Sequence, residues 1–147
     1  MYERILVGFD GSSTAARGLV EALGLAGPGV AICVVYVIEH VVPYLLGPDE
    51  IAVLEEDWDQ TALSVLSEAE AAASEEGVDV ETVALRIDAR GSIGQAITDE
   101  ARRWEADLIV IGTHGRGAIR QILLGSVAQR VVQTTSVPVL LIRPEKH

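Results

Sequence analysis

DLIVIGTHGRGAIRQILLGSVAQRVVQTTSVPVLLIRP, residues 107–144, is the stretch whose reading decides the fold. Leu108 to Ile111 run straight into Gly112. An unbroken aliphatic run that ends in glycine is the pattern of a strand buried on both faces, as in a parallel sheet. Gly112, Gly115 and Gly117 then make a glycine-rich turn. Gly125 and Ser126 open the next helix, with Val127, Val131 and Thr135 at helical spacing and Ser126 as the expected N-cap. Ser136-Val137-Pro138 breaks that helix, and Val139 to Ile142 form a last strand.

The unit is strand, glycine loop, helix, strand, and its chemistry favours an anion. Glycines let backbone N–H groups approach a ligand, and a helix N-terminus adds partial positive charge. The chain carries net charge −11, yet residues 108–144 hold no Asp or Glu and four arginines, Arg116, Arg120, Arg130 and Arg143. On glycine count alone, a plain turn with solvated arginines fits equally well.

Working outward, Ile5 to Phe9 is a first buried strand that ends in the turn Asp10-Gly11-Ser12-Ser13. Ser12 or Ser13 caps a helix over about 14–25. Val30 to Ile38 is a second buried strand, and 39–48 a loop. A long helix over about 49–76 carries the stripe Ile51, Leu54, Trp58, Ala62, Val65, Ala69 and Ala72. Its many acids read as a solvated face. Val80 to Ile87 alternates, which suits an edge strand. Ile93, Ile97, Ala101 and Trp104 mark a helix ending near Glu105, with Trp104 in the core.

Strands alternating with helices of crossover length give an α/β fold with a five-stranded parallel sheet and helices on both faces. Right-handed crossovers, with the winding reversed after the third strand, give the order 3-2-1-4-5. Ligands of such sheets sit where the winding reverses, beyond the carboxyl ends of the strands. That point lies between the first and fourth strands. It sets Asp10 opposite Gly112 to Gly117. Phosphate suits the glycine side, and ribose hydroxyls suit the Asp10 carboxylate, although an Asp-Gly-Ser turn also explains Asp10.

Composition narrows the function. The length of 147 residues suits a single domain, residues 1–147, and 49% hydrophobic with 4% aromatic residues means an aliphatic core. The acidity argues against nucleic acid and membrane surfaces as partners. The one cysteine, Cys33, lies in an apolar run and reads as a buried small hydrophobe; with no internal disulfide possible, a cytoplasmic location is expected. Ile5 to Phe9 is too short for a signal segment, and no apolar run approaches the ~18 residues of a membrane span. His40, His114 and His147 have no metal-ligand spacing. The one lysine is Lys146, so no P-loop lysine exists. Phosphate binding would rest on backbone N–H groups, the Ser126 hydroxyl and Arg116. A capping serine and an exposed loop histidine explain Ser126 and His114 without a catalytic pair, and no catalytic or metal-ligating residue is assigned.

Gly112-Thr113-His114-Gly115, nine residues, then Gly125-Ser126 resembles the nucleotide-binding signature of the universal stress protein family. The likeness runs from Arg4-Ile5-Leu6-Val7 through Asp10-Gly11-Ser12 to Ile142. It implies the Rossmann-like, adenine nucleotide alpha hydrolase-like fold and the ATP-binding branch, with Mg²⁺ accompanying the nucleotide. By resemblance, Asp10 contacts ribose and a backbone group of Val37 holds adenine. Gly112, Gly115, Gly125, Ser126 and Val127 hold ribose and phosphates, with Arg116 as a further phosphate partner. The family pairs as homodimers through the last strand, here Val139, Leu140, Leu141 and Ile142. A nucleotide-dependent regulator with a protein partner is the implied function. A slow ATPase or phosphotransferase, and a binder of an AMP-type ligand, are the alternatives.

Overall fold

The computed structural model describes residues 1–115 and 124–145. Its elements run β1 (Arg4–Gly8), α1 (Ser13–Gly24), β2 (Ala31–His40), α2 (Pro48–Glu75), β3 (Glu81–Asp88), α3 (Ile93–Arg103), β4 (Leu108–Gly112), α4 (Ser126–Thr134) and β5 (Val139–Ile142). The five strands form one sheet in the order β3-β2-β1-β4-β5, all pairs parallel, as the alternation of elements requires. The winding reverses between β1 and β4.

Two aliphatic layers hold the helices to the sheet. Ile5, Val7, Val34 and Val110 face α1 and α2 with Leu19, Val65 and Ala69. Leu6, Cys33, Ile109 and Ile111 face α3 and α4 with Ile97, Ala101 and Val131. Alternate residues of each central strand therefore feed opposite layers, which is why these strands read as unbroken apolar runs. Trp104 is buried, as expected of a core residue. The Arg4 guanidinium lies 4.1 Å from its ring centroid. Asp107 accepts the Glu3 and Arg4 N–H groups at 2.8 and 3.0 Å, which pins the start of the chain beside β4.

Several boundaries differ from the sequence expectation. Gly125, not Ser126, is the N-cap of α4; Ser126 is the first helical residue, and no side chain caps this helix. Thr135 lies beyond the helix as its C-cap, and the buried stripe is Ala128 and Val131, with Val127 half-buried. In α2 the buried residues are Ala62, Val65, Leu66, Ala69 and Ala73, while Ile51, Leu54 and Trp58 are half-buried and Ala72 packs beside the core. The cause is length. The 28-residue helix spans ~42 Å, and the 10-residue strand β2 beneath it spans ~33 Å. The first turns of α2 therefore have less sheet to cover. β2 runs on to His40 because Tyr36 through His40 pair with Ala84 through Asp88 of β3.

Burial pushes the Cys33 thiol up from its ordinary 9.0 to about 11, helped by the Glu81 and Glu100 carboxylates. The native state therefore holds the thiol proton at a pH where the unfolded chain has lost it. Stability from this group is fully present below about pH 9 and falls as pH rises toward 11. Comparative urea unfolding should show Cys33→Ala losing less stability than the parent over that window. Native protein at pH 8 should resist alkylation by iodoacetamide.

Candidate functional site

The carboxyl ends of β1, β2 and β4 enclose a cleft of about 110 Å³ at the point where the winding reverses. β1 ends at Gly8, and the Phe9 N–H then donates to Val35 O at 2.9 Å, so Asp10 is delivered to the cleft. Gly11 follows at φ +81°, a left-handed conformation that glycine adopts without penalty. The Ser12 N–H donates to Asp10 Oδ1 at 2.9 Å, and Ser12 Oγ in turn accepts the Ala15 N–H to cap α1. Asp10 is thus both a turn residue and a wall of the cleft.

Gly115 faces it. A Cβ built on Gly115 would come within 2.9 Å of Asp10 Oδ2. The carboxylate and the glycine turn meet across the switch point, as the topology requires. Thr113 anchors the turn. Its N–H donates to Ile142 O at 2.8 Å, and its carbonyl accepts the Gly125 N–H at 2.7 Å. This second bond closes the chain from β4 onto the start of α4. Gln129 Nε2 donates to Leu124 O at 3.0 Å and steadies the same junction.

The remaining walls are apolar. Val37 from β2, Ile93 and Ile97 from α3, Ile111 from β4 and Val127 from α4 line a slot beside Asp10. A flat, weakly polar ring fits such a slot, with the polar groups at its rim. β2 outruns β1, whose Gly8 pairs with Val35, so Tyr36 and Val37 lie beyond the end of the β1 pairing.

Of the sequence-derived site residues, Asp10, Val37, Gly112, Gly115 and Val127 line this one cleft. Gly125 and Ser126 do not line it. They form the mouth of α4 next to it, with Gly125 against Thr113 and Ser126 exposed. Arg116, like Gly117 and Arg120, falls outside the described residues. His114 is half-buried rather than exposed, with Nδ1 3.0 Å from the Thr113 hydroxyl, and it lines the cleft. Tyr36, Ile93 and Ile97 also line the cleft, and nothing in the sequence marks them as site residues. Their apolar type marks core, and only the sheet order shows that they reach the switch point. Among the described residues, no three His, Cys, Asp or Glu side chains come together as a metal site.

The model of the universal stress protein family matches residues 1–143. A universal stress protein of Thermus aquaticus, named for its place in the QAH/OAS sulfhydrylase 3′ region, is 37% identical over 144 residues, covering 97% of this chain and all of the relative. The universal stress protein of Archaeoglobus fulgidus in complex with dAMP superposes with a TM-score of 0.62 at 30% identity, over 96% of this chain and 98% of that one. Protein MJ0577 of Methanocaldococcus jannaschii shares the fold with a TM-score of 0.86 at 22% identity, over 100% of this chain and 99% of its own. With the family model spanning nearly the whole length, the chain belongs to the universal stress protein family.

Proposed function

We propose that the cleft binds an adenine nucleotide, ATP with Mg²⁺, and that the bound state regulates a stress response. One observation carries the reading: Asp10 and Gly115 meet across a cleft whose inner wall is an apolar slot. Adenine enters the slot against Val37 and is held by a backbone group there. The Asp10 carboxylate accepts from ribose hydroxyls. The phosphates run past Gly112 and Gly115 toward Gly125, Ser126 and Val127, where α4 begins without a side-chain cap and its first N–H groups meet an anion. Arg116 adds a cation. A cleft of about 110 Å³ is smaller than the ~300–1,000 Å³ that encloses a whole small ligand. It suits base and ribose, with the phosphates at the rim. The cation would be held through phosphate oxygens and water, in keeping with the habits of Mg²⁺.

The complex of the Archaeoglobus fulgidus protein with dAMP favours a second reading, in which a nucleoside monophosphate is the ligand. A slow ATPase is the weaker rival, since it needs a group to position water and the ribose role occupies Asp10. The reading takes residues 1–147 as one domain acting in the cytoplasm. No helix among the described residues is long and apolar enough to cross a membrane. The chain pairs with its own copy along β5, where Val139, Leu140 and Leu141 are half-buried at the sheet edge and Ile142 is buried.

Asp10→Asn tests the ribose contact. It keeps an oxygen for the Ser12 N–H and loses the charge. Calorimetric titration should show adenine-nucleotide affinity falling about tenfold, the size of one charge-assisted hydrogen bond. Unchanged affinity would remove Asp10 from the site.

A further inference from the structure

We propose that the corner between β2 and α2 is a docking surface for a basic, amphipathic segment of a partner protein. Val41, Val42, Tyr44 and Leu45 stand exposed there, Tyr44 to 94% and Leu45 to 92%. Leu45 is also held at φ +78°. That left-handed conformation is costly for a residue with a Cβ, and such strain collects where function requires it. A leucine displayed to water on backbone suited to glycine contributes nothing to this core.

α2 begins three residues after Leu45, and its first turns also show an apolar side chain to water. Val53 is 61% exposed. Its helical neighbours three and four residues away on either side are Asp49, Glu50, Glu56 and Asp57, all exposed. Val53 is thus flanked by carboxylates on its own helix. From Glu39 to Asp59 there are seven acids and no Lys or Arg. Asp59 is paired with Arg86 of β3, while among the described residues Asp49, Glu50, Glu56 and Asp57 have no ion pair. The opposite side of the helix is already used: Trp58 stacks on His40 with ring centroids 4.8 Å apart.

Charge complementarity selects the occupant. Apolar side chains would cover Tyr44, Leu45 and Val53, and Lys or Arg around them would meet the acids. A cation can also rest on the Tyr44 ring. A second copy brings the same carboxylates against themselves, and lipid phosphates or nucleic acid are repelled.

The test uses the full chain and a short fluorescein-labelled helical peptide of leucine and lysine, with leucines three and four residues apart. A control peptide of equal charge carries glutamine for leucine. Anisotropy at physiological salt should show the leucine peptide binding the parent and the glutamine peptide binding about tenfold more weakly or less, the scale of an interface anchor. The double variant Tyr44→Ser, Leu45→Ser should lose about tenfold toward the leucine peptide. Glu50→Gln with Glu56→Gln should also weaken binding, and circular dichroism should show both variants folded. No binding to the parent, equal binding of the two peptides, or a Tyr44→Ser, Leu45→Ser variant as tight as the parent would overturn the proposal. So would parent self-association in sedimentation that the same double variant abolishes, since a second copy would then be the occupant.

Discussion

Gly115→Val should lower adenine-nucleotide affinity by about a hundredfold or more, roughly 2.8 kcal/mol, and leave the protein folded. The substitution acts at one place. A Cβ on Gly115 comes within 2.9 Å of Asp10 Oδ2, closer than real contacts allow. The Asp10 carboxylate, at the far end of its side chain, has to turn aside, and it then no longer stands where ribose would meet it. The branched side chain also projects into the gap that ribose and phosphate would cross. Stability should change little. Gly115 is exposed and is not among the glycines held at positive φ, so its backbone accepts a side chain. Calorimetry on the variant, with a thermal melt beside it, checks both halves. An affinity equal to the parent's would show that nucleotide does not pass between Asp10 and Gly115. Gly125→Val is a less clean experiment. Its Cβ meets the Thr113 carbonyl at 3.0 Å, so it strains the Gly125–Thr113 hydrogen bond that closes the loop.

Gly94→Val should produce the largest loss of stability among single glycine changes, about 3 kcal/mol. At this chain length that corresponds to a fall in Tm of roughly 6–12 °C. A Cβ at Gly94 would lie 2.6 Å from Arg130 Cβ and 2.8 Å from Val127 O. One contact is a backbone carbonyl and the other a Cβ, so neither yields by turning a rotamer. α3 would be pushed off α4. Val127 and Ile93 line the cleft from these two helices, so nucleotide affinity should fall along with stability. Gly24→Ala is the control. Nothing lies within 4 Å of a Cβ there, and helix propensity predicts a gain of about 0.5 kcal/mol. Urea unfolding of the two variants should move in opposite directions. A Gly94→Val protein as stable as the parent would mean that α3 and α4 do not pack at the separation described.

Gly94 also shows where sequence reading stops. Inside Ile93-Gly94-Gln95-Ala96 it looks like a weak spot in a helix, and nothing local says that a neighbouring helix touches it. By contrast, Leu108 to Ile111 running into Gly112 was enough to call a buried parallel strand, because alternate residues on both faces are apolar only when both faces are covered. From that run, the apolar runs at Ile5, Val30 and Val139 and the alternating edge strand Val80 to Ile87, the sheet order followed by handedness, and with it the meeting of Asp10 and Gly115. Caps were less legible. Ser126 has the right side chain for an N-cap, but the Gly125 N–H is tied to Thr113 O, and the helix begins one residue earlier than that reading needs, with Gly125 as its cap. The α2 stripe has equal weight along its length in the sequence, from Ile51 to Ala72. Burial depends on how far the sheet extends beneath it, which no periodicity records. The apolar slot was hidden for a related reason: Ile93, Ile97 and Ile111 look like core, and part of their surface is the wall of a cleft.

The most direct measurement is on freshly purified protein. It is denatured, and the released small molecules are separated against ATP, ADP and AMP standards. Emptied protein is then titrated with each nucleotide by calorimetry, with and without Mg²⁺. Bound or tightly titrating ATP, unchanged after hours with Mg²⁺, is the predicted result. Preference for AMP would move the ligand to a monophosphate in the same cleft, and ADP accumulating on the protein would make it an enzyme. No released nucleotide and no binding heat with any of the three would contradict the central claim, and would leave the cleft between Asp10 and Gly115 without the role proposed for it.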